Sequence, residues 1–196
     1  DSPGEANATQ ALGSEFITMG DSSGVGPEII LHAFKKGELP DDFIVIGDYE
    51  ILNLCNRMLG YEVPLRTSSE VTDLTPGYVN VLDMGFLREG DLRVGQLSKA
   101  SGHAAQKYVQ LATQLALEKK VTAVVTLPMN KEATRLSDPR FTGHTGYIAE
   151  LCGRDKYTLM LASEKLIVTH VSTHVSLRKA IESVKRSQVL DTIRLT

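Results

Sequence analysis

The sequence predicts an α/β protein with mainly parallel sheets and flanking helices. Three observations support this fold class. Short apolar runs of strand length alternate with longer amphipathic segments, a glycine-rich turn follows the first apolar run, and residues 121–127 (VTAVVTL) are continuously apolar. Strand, helix and strand in repeated order favour parallel βαβ units. An uninterrupted apolar run is typical of a strand that is buried on both faces.

Each predicted element follows from a local pattern. Pro27 opens the first helix, because a residue without an N–H loses nothing in the first helical turn, and Gly60 closes the second helix. The third helix has Ala and Leu at helical spacing over about five turns. The predicted strands are residues 16–19, 43–46, 79–82, 121–127, 157–161 and 166–170. The predicted helices are residues 27–34, 50–59, 101–119, 146–152 and a segment that begins at residue 176.

Composition divides the chain into three parts. Residues 1–14 are small and polar, lack a hydrophobic period and end in a stretch that resembles a cloning remnant, so we predict a tag or disordered leader that adds nothing to folding. Residues 15–127 are predicted to form a first α/β domain. Residues 128–196 are predicted to begin a second one, because the loop-rich segment 128–142 separates them. The second domain is expected to be truncated, since the sequence stops inside a predicted helix. The first is expected to be incomplete on the ground of the family resemblance given below.

Charge and cysteine content exclude several classes of function. The formal net charge is −3 and the charges are interspersed, so we predict no partner nucleic acid and no membrane surface. Cys55 and Cys152 lie far apart without a CxxC spacing and are expected to be reduced, buried thiols. The sequence has no recognisable signal peptide and no long apolar run, so we predict a cytoplasmic protein.

Two candidate segments follow predicted strands, where open α/β sheets bind ligands. The glycine-rich turn 20–28 (GDSSGVGPE) lets backbone N–H groups approach a polar ligand, although a purely structural turn is an equal alternative. It matches neither the Walker loop nor GxGxxG. In residues 126–132 (TLPMNKE), Asn130 and Lys131 fall where substrate groups are expected. Lys131 is suited to a phosphate or carboxylate, and the alternative is a solvated lysine at a helix start.

A third segment, residues 141–146 (FTGHTG), places His144 in a turn between hydroxyls and glycines. This setting suits hydrogen bonds to a small polar ligand. Thr142 or Thr145 can also serve as a helix cap there, and the two roles are compatible.

The fourth segment contains His170 and His174 where a predicted strand leads into a loop. Valines around them favour extended backbone over helix. Four residues apart in a strand, the two histidines would lie about 13 Å from each other and could not share one metal. One of them can ligate a metal while the other packs, and a structural role for either is the alternative.

Taken together, the segments GDSSGVGPE, TLPMNKE, FTGHTGYIAELCG and VTHVSTHVSLR resemble, in order and spacing, the signature segments of the 4-hydroxythreonine-4-phosphate dehydrogenase family. The resemblance covers residues 17–196. It implies a two-domain fold like that of the isocitrate and isopropylmalate dehydrogenases, with an active site in the cleft that is shared across a homodimer. It also implies that this sequence carries the first half of such an enzyme, with the C-terminal half missing.

The resemblance assigns roles to individual residues. His144 and Thr145 match the family's substrate-binding pair, and His174 matches the first of three metal-ligating histidines, whereas His170 matches no ligand. The other two metal histidines and most of the NAD-binding surface belong to the missing half, so no residue is assigned to NAD. Lys131 as a substrate-binding anion contact is our own assignment.

Two positions depart from the family pattern. Ser22 stands where many relatives have proline, and this is expected to loosen the turn. Gly146 stands where glutamate usually follows the His-Thr pair, which leaves the exact substrate open. The segments around Lys131 and His174 are more similar to the subgroup that acts on D-threonate or D-erythronate 4-phosphate than to the vitamin B6 enzymes.

The implied reaction is an NAD-dependent oxidative decarboxylation of a 4-phosphorylated four-carbon hydroxy acid. In the family mechanism a divalent metal cation, whose identity the sequence does not specify, assists hydride transfer to NAD, and the β-keto acid then loses carbon dioxide. One alternative is an inactive fragment or binding module of the same fold. The other is a relative that acts on aromatic cis-dihydrodiols. This chain alone is expected to be inactive.

Overall fold

A computed structural model describes residues 15–196, and the predicted leader, residues 1–14, lies outside the described part. The chain forms two compact units, one that ends at His144 and one from Thr145 to Thr196. The boundary predicted at residue 128 separates the two domains expected of the whole protein. It is a different division from that between these two units, and it stays a prediction.

A five-stranded parallel sheet forms the centre of the first unit, with the strand order β3-β4-β2-β1-β5. Its register places Ile17 of the first strand between Val45 and Val125. This sheet confirms the predicted α/β class. The strands are β1 (Glu15–Thr18), β2 (Phe43–Gly47), β3 (Leu65–Ser68), β4 (Val79–Asp83) and β5 (Ala123–Thr126).

Helices flank this sheet. The longest helix packs against β1, β2 and β5, and the Ser98 hydroxyl caps it by accepting a hydrogen bond from the Ser101 N–H. Gly60 ends the second helix in the left-handed conformation, as predicted. The helices are α1 (Gly26–Lys35), α2 (Tyr49–Leu59), α3 (Lys99–Leu117) and α4 (Lys131–Arg135), with a short 3-10 turn at Glu89–Asp91.

The second unit is smaller and contains an antiparallel pair of strands. Both strands are largely exposed, which is unusual because a two-stranded sheet is marginally stable by itself. The elements are α5 (His144–Leu151), which begins at the last residue of the first unit, β6 (Met160–Ala162), β7 (Ile167–Thr169), α6 (Leu177–Ser183) and α7 (Arg186–Leu195).

Several predicted elements need correction. The apolar run 121–127 is not a strand buried on both faces, because β5 lies at the sheet edge and Val125 is 41% exposed. The strand buried along its whole length is β2, which has neighbours on both sides. The helix predicted from residue 176 is two helices, since Val184 leaves the helical conformation. Cys55 is buried as expected, whereas Cys152 is half-buried.

Candidate active site

Loops at the carboxyl ends of the parallel strands bring the candidate residues of the first unit to the same end of the sheet. β1 leads into the glycine turn, β2 leads into Asp48, and β5 leads into the turn before α4. Ligands of open α/β sheets bind beyond the carboxyl ends of the strands. The fold therefore favours a binding site at the carboxyl end of this sheet.

The glycine turn packs closely against the turn that follows β5. Gly20 has a φ of +71°, and a Cβ on it would lie 2.5 Å from the Pro128 carbonyl oxygen. A Cβ on Gly26 would lie 2.0 Å from the Met19 carbonyl oxygen. The Asp21 N–H donates a hydrogen bond of 2.9 Å to the Pro128 carbonyl. A purely structural role of the turn therefore explains both glycines, because only a residue without a Cβ fits at these two positions.

Contacts with α3 and with the loop before it hold the rest of the turn. Asp21 is buried, its Oδ1 accepts the Ser23 N–H at 2.9 Å, and burial raises the pKa of its carboxyl. The hydroxyls of Ser23 and Ser101 are 2.8 Å apart, and the Gly95 N–H donates to the Ser23 carbonyl at 2.8 Å. The loosening expected from Ser22 stays a prediction.

A second buried carboxylate, which the sequence patterns did not single out, follows β2. Asp48 accepts hydrogen bonds from the Tyr108 hydroxyl at 2.5 Å, the Phe86 N–H at 2.9 Å and the Leu87 N–H at 3.0 Å. Burial raises the pKa of Asp48, and these hydrogen bonds oppose that rise. The Ser22 hydroxyl lies beside the Tyr108 phenol without forming a hydrogen bond of good geometry with a described residue. An acidic residue directly after an apolar strand was the signal available in the sequence.

Asn130 and Lys131 have separate roles at the start of α4. Asn130 is the helix cap, since its Oδ1 accepts the N–H groups of Glu132 and Ala133 at 3.0 and 3.1 Å. Lys131 is exposed, and its side chain runs alongside Gly143. A Cβ on Gly143 would lie 3.2 Å from Lys131 Cε and 3.5 Å from Lys131 Nζ.

His144 lies beside Lys131, so the fold brings together two residues that the sequence proposed independently. Its imidazole is close to the Leu127 backbone, and its Nε2 is buried without a hydrogen-bond partner among the described residues. Burial, and then the positive charge of Lys131, lowers the pKa of His144. The imidazole is therefore neutral at neutral pH and keeps unused hydrogen-bonding capacity. Thr145 follows on α5 and is exposed.

The second unit carries the other two histidines. β7 ends at Thr169, so His170 and His174 lie in the loop beyond it, and the separation expected from strand geometry does not apply. His170 Nδ1 is 3.0 Å from the Leu159 carbonyl oxygen, which gives this ring a structural partner. His174 is exposed and has a φ of +55°. Among residues 15–196, no three His, Cys, Asp or Glu side chains lie close enough to hold a metal ion.

No helix in the described part of the chain is long and apolar enough to span a bilayer.

Comparison with known proteins matches most of this chain to one family. Residues 40–196 match the family model described as pyridoxal phosphate biosynthetic protein PdxA. A protein of Oceanobacillus iheyensis, provisionally named a D-threonate 4-phosphate dehydrogenase, is 40% identical over 91% of this chain and 55% of its own length. The D-threonate 4-phosphate dehydrogenase of Cupriavidus necator is 36% identical over 90% of this chain and 54% of its own length.

A solved structure agrees with these matches. The crystal structure of a 4-hydroxythreonine-4-phosphate dehydrogenase from Burkholderia phymatum superposes with a TM-score of 0.84 at 34% identity, over 93% of this chain and 56% of that chain. The chain thus spans about half the length of the relatives it matches. The resemblance inferred from the four sequence segments is confirmed, and the chain belongs to the PdxA family of pyridoxal phosphate biosynthetic proteins.

Proposed function

We propose that the protein of which this chain is part is an NAD-dependent dehydrogenase that oxidises and decarboxylates a 4-phosphorylated four-carbon hydroxy acid with the help of a divalent metal. Family membership over residues 40–196 is the observation that carries the proposal. D-Threonate 4-phosphate is the preferred substrate, because two of the most similar relatives carry a D-threonate 4-phosphate dehydrogenase name. D-Erythronate 4-phosphate is the second candidate, from the resemblance of the segments around Lys131 and His174. The 4-phosphorylated form of hydroxythreonine is the third candidate.

The proposed overall reaction oxidises a secondary alcohol to a ketone. The hydroxy acid loses a hydride, which NAD accepts, and a proton, and the resulting β-keto acid releases carbon dioxide. In this chain His144 and Thr145 are proposed to orient the substrate and Lys131 to contact one of its anionic groups. Orientation of this kind raises the rate because it replaces a random encounter by a fixed geometry.

The described residues do not by themselves fit a divalent metal. His174 is the one ligand proposed in this chain, and no other His, Cys, Asp or Glu side chains of the described part complete a three-ligand group around it. A single imidazole does not hold a catalytic metal, which usually needs three protein ligands. The metal requirement is therefore proposed for the whole protein. A homodimer with a shared active site and a cytoplasmic location stay predictions for the whole protein as well.

A substrate panel with the whole protein tests this proposal. D-Threonate 4-phosphate, D-erythronate 4-phosphate, 4-phosphooxy-threonine and an aromatic cis-dihydrodiol are each supplied with NAD, and NADH formation is followed by absorbance. We expect NADH with at least one phosphorylated acid, none with its dephosphorylated form, and loss of the signal after treatment with a chelator.

The same panel separates the alternatives. NADH formation with the cis-dihydrodiol and with none of the phosphorylated acids would assign the protein to the dihydrodiol reaction. Absence of NADH with every substrate, combined with binding of a phosphorylated acid by calorimetry, would favour the noncatalytic binding module.

A further inference from the structure

The Lys131 ammonium group has no carboxylate partner among the described residues, whereas several other basic side chains do. Arg57, Arg88, Lys120 and Lys156 are exposed and each is paired with a carboxylate. Lys131 forms no hydrogen bond or ion pair with any described residue, although Glu132 is its neighbour in the chain. An ammonium group has three donors, so this one is available to a ligand.

The end of the Lys131 side chain lies in space that a side chain at residue 143 would partly fill. Lys131 Nζ would stand 3.5 Å from a Cβ on Gly143, and Cε would stand 3.2 Å from it. The φ of Gly143 is +139°, a conformation that residues with a Cβ rarely adopt. Gly143 therefore lets the lysine stem lie along the backbone immediately before His144.

His144 supplies a neutral polar group next to this charge. Two positive charges at such close range would repel each other, and the neutral imidazole avoids that repulsion. The pair thus combines one positive charge with an uncharged ring whose buried Nε2 has no hydrogen-bond partner among the described residues. This combination suits an oxyanion that carries a neighbouring hydroxyl group, as phosphorylated hydroxy acids do.

We propose that Lys131, held alongside Gly143 and next to His144, is the oxyanion-binding residue of this chain and contacts a phosphate or carboxylate group of the ligand. The inference rests on the proposed function only in taking that ligand to be the substrate. Lys131 contacts the ligand directly, and Gly143 is a positioning residue that acts through Lys131.

Anion binding to the whole protein of which this chain is part tests this inference without any turnover. The probes are inorganic phosphate and glycolate, each titrated against chloride at the same ionic strength while ¹H–¹⁵N NMR follows the His144 imidazole and the Gly143 amide. We expect a saturable shift of both signals with at least one probe. Saturation by phosphate alone assigns the site to a phosphate group, and saturation by glycolate alone assigns it to a carboxylate.

Variants separate a specific contact from general charge. Lys131→Gln should weaken anion binding by about tenfold or more, the loss expected for a charge-assisted hydrogen bond. Lys131→Arg should retain binding, and Gly143→Ala should weaken it although the lysine is still present. Lys36→Gln is the matched control, because Lys36 is an exposed lysine of the same unit at the end of α1.

Two results would overturn the inference. One is an NMR shift in Lys131→Gln that saturates at the same anion concentration as in the unsubstituted protein. The other is an NMR shift in the unsubstituted protein that is no larger with phosphate or glycolate than with chloride. Neither result depends on NADH formation. If anion binding requires Lys131 but the whole protein oxidises no candidate substrate, the proposed function is contradicted and this inference still holds.

Discussion

At the scale of single residues, Gly20 joins the two turns that meet at the carboxyl edge of the first sheet. Its φ is +71°, and its missing side chain leaves room for the Pro128 carbonyl. Gly60 has a similar φ of +66°, yet a Cβ on it would meet no atom within 4 Å. Both positions therefore require a residue that adopts a positive φ. Only position 20 also requires a residue without a side chain.

Replacement of each glycine by alanine separates these two effects. Gly60→Ala should lower the free energy of unfolding by about 1 to 2 kcal/mol, the cost of a left-handed residue that carries a Cβ. Gly20→Ala should cost about 1 to 3 kcal/mol more, because the new methyl group overlaps the Pro128 carbonyl. Urea unfolding of both variants measures the difference. Equal losses would show that the turn relaxes around the methyl group.

Sequence patterns predict some of the residues at the carboxyl end of the sheet and fail to predict others. Lys131 was predicted because it follows an apolar strand, where open α/β sheets bind ligands, and His144 because it lies in a polar turn and matches a family segment. The bond between Tyr108 and Asp48 joins residues 60 positions apart. A tyrosine on the apolar face of a helix has the same pattern as a core residue, so no local signal reveals this partner.

At the scale of elements, Asp48 ties β2 to α3 and to the loop that follows β4. The carboxylate accepts two backbone N–H groups of that loop and the hydroxyl of Tyr108. Because burial raises its pKa, the folded protein binds the Asp48 proton more tightly than the unfolded chain does. This group therefore makes stability fall as pH rises from the ordinary aspartate pKa to the raised one. The Tyr108 bond reduces that fall, because it favours the ionised carboxylate.

Removal of the Tyr108 hydroxyl tests this network. Tyr108→Phe should lower the free energy of unfolding at neutral pH by about 1.5 to 3 kcal/mol, the value of a hydrogen bond to a charged group. The loss should shrink in mildly acidic solution, where Asp48 takes up its proton. Tyr78→Phe is the control, because the Tyr78 side chain is exposed and its hydroxyl bonds to no described residue. A loss that is independent of pH would place the effect in packing rather than in Asp48.

The periodicity of the sequence predicted most elements of the first unit but not their positions in the sheet. β5 was expected to be fully buried, since an apolar run does not reveal how many neighbours a strand has. β3 was missed because four residues that include Arg66 carry little strand signal, and an ion pair of 2.9 Å with Asp73 stabilises that arginine. α4 was not predicted as an element because the prolines around it indicated a loop, although the alternative role of Lys131 already placed that residue at a helix start.

At the scale of the whole molecule, the two units differ in how completely they bury their apolar side chains. The first has a continuous core between the sheet and its helices. In the second, both strands and the helices α6 and α7 leave large apolar side chains exposed. The chain spans about half the length of its relatives, so we predict that the isolated 196-residue chain associates in solution and forms no NADH. A monomeric and fully active chain would contradict this prediction, and analytical ultracentrifugation with an NADH assay measures both properties.

The comparison of His174 with His170 in the whole protein tests the proposed metal-assisted dehydrogenase most directly. Both histidines lie in the loop after β7, yet only His174 is proposed as a metal ligand, and His170 already contacts the Leu159 carbonyl. NADH formation is measured for His174→Ala and His170→Ala across a titration of divalent metal. We expect His174→Ala to lose turnover by about tenfold or more and to need more metal, with a much smaller effect in His170→Ala. Equal losses in both variants, at the same metal requirement, would contradict the account.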